Sequence, residues 1–159
     1  MMVGKPRVAV ISGFGINCEL ETMAVFEMAG ASADRIHVNR LVGGEVSLED
    51  YQIMAVPGGF SFGDHLGSGR LMGNRLRFGL REQVLEFVRA GKPVIGICNG
   101  FQVLIKMGLL PGDDEVSLTQ TASLALNDSG HYEDRWVTLE FDSNSPCIWT
   151  NGIDRKSGV

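Results

Sequence analysis

No unbroken apolar run in these 159 residues is longer than five. A membrane helix needs roughly 20, so no stretch reads as a span. Cysteine is scarce and odd in number: Cys18, Cys98 and Cys147. Three cysteines do not make a disulfide framework, and no Cys/His group has zinc-like spacing. A reducing compartment is the expectation, and a metal centre is not. Positive charge is also short, with 14 Lys and Arg against 19 Asp and Glu, a net charge of −5. That balance argues against a nucleic-acid surface. Met1–Pro6 lacks the long apolar stretch and cleavage site of a secretory signal, so a cytoplasmic protein is expected. With 44% apolar and 21% charged residues, the chain can bury a real core and does not read as disordered.

What the sequence has in excess is glycine, 21 residues gathered into a few short stretches. They punctuate an alternation of strand and helix. Arg7–Ser12 reads as a buried parallel strand stopped by Gly13-Phe14-Gly15. Asn17 then caps a helix carrying acids in its first turn, with Leu20, Met23, Ala24, Phe26 and Ala29 at helical spacing and Gly30 as the stop. Arg35–Asn39 reads as a second strand, Ser47–Asp50 as a serine-capped single turn, and Gln52–Val56 as a third strand. One long helix is expected from about Gly69 to Ala90. Pro93–Ile97 is the fourth strand, and a third helix starts directly after Cys98. Val116–Leu126 and Arg135–Phe141 alternate more like antiparallel strands, joined by a turn at Asn127–Gly130. The expected fold is α/β, an open and mostly parallel three-layer sheet with a C-terminal antiparallel extension. Ligands of such sheets bind at the carboxyl ends of the strands.

Two stretches sit at those ends. Gly96-Ile97-Cys98-Asn99-Gly100 has the form of a nucleophile elbow with Cys as the nucleophile. A strand that turns at once into a helix strains the central residue, and side chains two positions away would collide. The thiol then projects at a helix N-terminus, where partial positive charge favours an anion. The Asn99 backbone N–H is free to point at an oxyanion. Pro57–Asp64 is glycine-rich at the end of the third strand, where backbone N–H groups can approach a ligand closely. It reads as the other half of an oxyanion hole.

Together these stretches resemble the class I glutamine amidotransferases. More narrowly they resemble the glutaminase branch of phosphoribosylformylglycinamidine synthase. The carriers are Gly96–Gln102 with Asn after Cys, the Phe60-Ser61-Phe62-Gly63-Asp64 ending, Gly13–Glu19, and Asn127–Gly130 followed by Arg135-Trp136-Val137. The resemblance covers the whole chain, 1–159, read as a single amidotransferase domain. It implies that Cys98 attacks glutamine to form a thioester, with oxyanion donors at the backbones of Gly59 and Asn99. Phe60 and Gln102 are the candidates for contacting substrate. It also implies ammonia delivery to a synthetase partner in purine synthesis. ATP and Mg belong to that partner, and this domain binds no cofactor of its own.

The branch also carries a catalytic His and Glu in a Pro-His-Pro-Glu-like motif that these residues do not contain. The expectation is a domain truncated at its C-terminus, weak or inactive in isolation. His37 reads as structural, His131 as solvated, and His65 as part of the loop motif. Cys18 reads as structural or partner-contacting and Cys147 as packed. Arg70, Arg75, Arg77 and Arg81 read as one solvated helix face. Two rival readings are a non-catalytic fragment and a Cys-elbow relative of the same superfold that uses an acid such as Glu19 or Asp64.

Overall fold

A computed structural model describes residues 4–112, 115–142 and 144–152. Contacts divide the chain into two units, residues 1–124 and 125–159. The first unit holds a four-stranded sheet in the order β2-β1-β3-β4, with β1 at Arg7–Ser12, β2 at Ser32–His37, β3 at Ile53–Val56 and β4 at Val94–Gly96. All pairings are parallel, and Val8 faces Ala33 on one side and Ile53 on the other. Chain direction around the sheet reverses beside β1, which places the ligand-binding crevice at the carboxyl ends of β1 and β3.

Side chains alternate across the strands. Ala9, Ile11, Met54 and Val56 face a large core built with α2 (Val38–Val42), α3 (Arg70–Gly79), α4 (Arg81–Arg89) and α5 (Asn99–Met107). Val8, Val10, Ala33 and Ala55 face a smaller core, which Met23 and Phe26 of α1 (Glu19–Met28) partly fill. Apolar residues run nearly all the way round α1, so helical spacing alone did not select its packed stripe. Thr22 is buried, whereas Leu20 is 64% exposed and Met28 is 88% exposed.

Several boundaries differ from the sequence reading. The strand expected over 35–39 runs over Ser32–His37, because the His37 imidazole accepts a hydrogen bond from the Asn39 amide (3.2 Å) and caps α2. The single helix expected over 69–90 is two helices. Leu80 leaves helical geometry at φ −129° and buries its side chain, just after Gly79, a poor helix former. That break puts Arg81 on a different helix from the other three arginines. The arginines are not a plain solvated face. Arg75 donates to Asn39 Oδ1 (2.5 Å), Arg81 to the Ser117 carbonyl (2.8 Å), and Arg70 to the Leu66 carbonyl (3.4 Å).

The antiparallel extension is also corrected: among the described residues, 116–126 and 135–141 form no strand. Val116 and Leu118 take positive φ, 46° and 55°, which extended backbone does not allow, and Leu118 plugs into the larger core. In the second unit Trp136 and Leu126 are more than 90% exposed, so no apolar face holds a strand pair together. The turn itself is present, with the Gly130 amide donating to the Asn127 carbonyl (2.9 Å). No described helix is long and apolar enough to cross a membrane.

At the amino end of β1, Arg7 donates to Asp34 (2.6 Å) and to the Tyr51 hydroxyl (3.2 Å) and stacks on the Tyr51 ring. The Arg7–Asp34 pair is half exposed and so adds little stability. Tyr51 is buried, and burial, then its hydrogen bond to Asp34, pushes its phenol above the ordinary value of 10.0. The unfolded chain therefore loses this proton first, and stability is lost as pH rises past that value. Comparing denaturant midpoints at about pH 9 and about pH 11 reads this loss. Tyr51→Phe should flatten it, and an unchanged slope in that variant would contradict the assignment.

Candidate active site

The site is built from three loops that are far apart in sequence. β4 ends at Gly96 and α5 begins at Asn99, so the chain reverses over two residues. Cys98 takes the strain, at φ 53° and ψ −112°. A non-glycine residue held there costs about 1–3 kcal/mol. The flanking glycines are required by space. A Cβ at Gly96 would lie 2.7 Å from the Gly100 carbonyl oxygen, and one at Gly100 would overlap the Val56 carbonyl. The Cys98 side chain is exposed.

Gly58, after β3, lies directly beside it: a Cβ there would be 3.4 Å from Cys98 Cβ and 3.5 Å from Cys18 Sγ. Cys18 belongs to the loop after β1. That loop and the β3 loop form a short antiparallel bridge at Ile16 and Gly59. Phe60 N–H donates to the Gly15 carbonyl (2.8 Å), Asn17 N–H to Gly58 (3.3 Å) and Phe62 N–H to Phe14 (2.6 Å). Gly59 has φ 138° and room for no side chain, since a Cβ would lie 2.6 Å from the Gly15 oxygen. Asn17 does not cap α1: Cys18 occupies the cap position, and its thiol donates to Asn17 Oδ1 (3.4 Å).

The bridge uses the Gly58 carbonyl and the Phe60 N–H and leaves the Gly59 N–H without a described acceptor. The Asn99 N–H, at the first position of α5, likewise has none among the described residues. Phe60 is 66% exposed, and Gln102 is half-buried one turn beyond Cys98.

The sequence reading marked Asn99 for the resemblance and for its backbone N–H but gave its side chain no role, and that side chain belongs to a residue only 1% exposed. Its Oδ1 accepts from the Ser61 amide (3.0 Å), and its Nδ2 donates to Asp64 Oδ1 (3.0 Å) and Gln102 Oε1 (2.9 Å). The signal available was weak: a polar residue at the start of a mostly apolar helix that also carries Gln102 and Lys106. Ser61 is also 1% exposed, and its hydroxyl has no described partner. Phe62, Asp64 and Leu66 all take positive φ, so the β3 loop is strained.

Among the described residues no side chain hydrogen-bonds the Cys98 thiol. Asp64, an acid weighed as a partner for the thiol, is instead engaged by Asn99. His37 stacks edge-on against Phe14. Cys147 is exposed rather than packed, and its thiol is pulled below the ordinary value by a hydrogen bond from the Trp149 backbone, then from the Thr150 side chain. No group of three described His, Cys, Asp or Glu residues is arranged to hold a metal ion.

Comparison with known proteins points the same way as the geometry. The sequence model of the CobB/CobQ-like glutamine amidotransferase domain family matches residues 5–159. The phosphoribosylformylglycinamidine synthase subunit PurQ of Methanococcus maripaludis strain C7 is 44% identical over 151 residues, covering 94% of this chain and 54% of that protein. The PurQ subunit of Dehalococcoides mccartyi is 42% identical over 153 residues, covering 96% and 59%. A chain in the structure of PurLQS from Thermotoga maritima superimposes with a TM-score of 0.65 at 32% identity, covering 84% of this chain and 54% of that one. The chain thus spans a little over half the length of these relatives.

The elbow geometry predicts a contrast between two glycines. Gly100→Ala should cost about 1–3 kcal/mol in urea denaturation, because backbone must move to admit the methyl group. Gly112→Ala, with nothing within 4 Å, should stay within about 0.5 kcal/mol. Equal stabilities would mean that the elbow is not this tightly packed.

Proposed function

Since the chain belongs to the CobB/CobQ-like glutamine amidotransferase domain family, we propose that it is the nucleophile-bearing part of a glutaminase. The observation that carries this reading is Cys98 on its strained turn, with two backbone N–H groups unclaimed among the described residues, at Gly59 in the β3 loop and at Asn99 at the start of α5. In this reading the Cys98 thiolate attacks the side-chain amide carbon of glutamine. The carbonyl oxygen becomes an oxyanion and accepts from the N–H groups of Gly59 and Asn99. Removing one such donor typically costs about 10²–10³ in rate. The carbon–nitrogen bond then breaks, nitrogen takes a proton, and ammonia leaves. Water attacks the thioester, releasing glutamate and regenerating the thiol.

Phe60 and Gln102 flank the substrate. The Gln102 carbonyl is taken by Asn99, so its amino group is the end left to donate to an acceptor on the substrate. Similarity to PurQ subunits of phosphoribosylformylglycinamidine synthase supports a synthetase partner as the consumer of the ammonia; in this reading the reaction serves purine synthesis in the cytoplasm. ATP and Mg act on that partner.

A base must take the thiol proton and return it to the leaving nitrogen, a contribution typically worth about 10²–10⁴-fold. Among the described residues no side chain engages the thiol, so in this reading the base is a group other than those the described contacts place beside Cys98. The same observation supports a second reading, a fragment that binds glutamine without turning it over.

Incubation with a diazo-ketone glutamine analogue, read by intact mass and peptide mapping, separates the two. The first reading expects one label on Cys98, blocked by excess glutamine and absent from Cys98→Ala, with little or no steady-state ammonia release. A folded chain that binds glutamine and takes no label supports the second.

A further inference from the structure

We infer that the Asn99 side chain is a positioning residue: it latches the strained β3 loop onto the elbow helix and so holds the Gly59 donor in place beside Cys98. The contact itself stands on geometry, and only its chemical consequence rests on the glutaminase reading above.

The case begins with which way the amide points. Ser61 offers a backbone N–H, which only an oxygen can accept. Asp64 offers a carboxylate, which only a donor can meet. The two demands lie on opposite ends of the same amide, so Oδ1 faces Ser61 and Nδ2 faces Asp64. The second Nδ2 proton goes to Gln102 Oε1, one turn along the same helix. One buried side chain therefore ties two loop positions and one helix position together. No apolar residue of similar size could do this, and leucine or alanine would leave the Ser61 amide without an acceptor.

The loop needs such a tie. Phe62, Gly63, Asp64 and Leu66 all have φ between 54° and 64°, a region that relaxed non-glycine residues avoid. On one side the loop is pinned by the Gly15–Phe60 and Phe14–Phe62 backbone bonds to the β1 loop. On the side facing the nucleophile the described tie is Asn99. Gly59, the proposed donor, is two residues before Ser61. Gly58 and Phe60 tie Gly59 to the β1 loop, so releasing Ser61 and Asp64 lets the donor and that loop shift together relative to Cys98 on its own turn. Misplacement on the scale of an ångström can cost about 100-fold in a positioned reaction.

The test uses the full chain and four forms: the parent, Asn99→Ala, Asn99→Asp, and the double variant Asn99→Asp with Asp64→Asn. The double variant exchanges donor and acceptor across the contact and keeps total charge. Two readouts are taken on each. Hydrogen exchange of the 58–64 segment reports the latch. The rates at which iodoacetamide and the diazo-ketone analogue label Cys98, mapped by peptide, report its consequence.

In Asn99→Ala the loop should exchange faster while 103–107 does not change. Analogue labelling should fall about 10- to 100-fold with iodoacetamide labelling unchanged. Asn99→Asp places two carboxylates face to face and should open the loop or prevent folding, and the double variant should restore folding and loop protection. Unchanged loop exchange in Asn99→Ala overturns the latch, as does a double variant no better protected than Asn99→Asp. Equal losses toward both reagents in Asn99→Ala overturn the positioning role, because Asn99 would then only shape the elbow. If the parent itself takes no analogue, the glutaminase reading fails, and the exchange data still decide the latch.

Discussion

The rest of the site depends on one backbone crossing, where the start of α5 is pressed against the end of β3. The Val56 carbonyl accepts from the Ile97 amide (3.0 Å) and occupies the space where a side chain on Gly100 would stand. At that separation the chain has only two residues in which to change direction, so Cys98 is forced to positive φ. Its side chain is then turned out of the sheet and toward Gly58. The crossing is supported from behind, because α3 lies close on α5 through Gly69 and Gly73. A Cβ at Gly69 would be 2.6 Å from the Val103 nitrogen, and one at Gly73 would be 3.0 Å from Lys106 Cβ. A mid-helix glycine costs about 1 kcal/mol relative to alanine, and here it lets α3 lie that close to the helix that carries the nucleophile.

Around the thiol the strain is local and the restraint is shared. The β1 and β3 loops hold each other by backbone hydrogen bonds, which fix position without depending on side-chain identity except where glycine is needed for room. The β3 loop meets the elbow through the side chain of Asn99, which does depend on identity. Among the described residues the N–H groups of Gly59 and Asn99 have no protein acceptor, and fixed donors of this kind can stabilise a developing negative charge without reorganising. The acid–base part of an acyl-transfer site is a separate requirement, and the described residues place no base on the thiol.

The parallel sheet, the elbow and the glycine-rich loop were all legible from residue order, because each follows from a local rule. Apolar strand runs must be buried, a strand-to-helix reversal excludes side chains two residues away, and a backbone crossing excludes them at the crossing. Gly96, Cys98 and Gly100 could be read for that reason, and so could the serine cap at Ser47, whose hydroxyl accepts from the Glu49 amide. The helix break at Leu80 and the cap at His37 were not legible. Both depend on a side chain finding a place set by other elements, and spacing cannot show that place. The alternation over 116–126 and 135–141 was misleading because a strand needs a partner to pair with, and alternation alone supplies none.

By itself the sequence determined that a cysteine would stand on a tight turn at the carboxyl edge of a parallel sheet, since that outcome needs only neighbours along the chain. Only the tertiary structure decided that Cys18, Gly58 and Cys98 meet, that the Gly59 N–H has no acceptor among the described residues, and that Asn99 turns inward to hold Ser61 and Asp64. Those facts depend on distances between segments about 40 residues apart in the chain. Such distances are set by how the strands register and how closely the helices pack, and no local pattern encodes them.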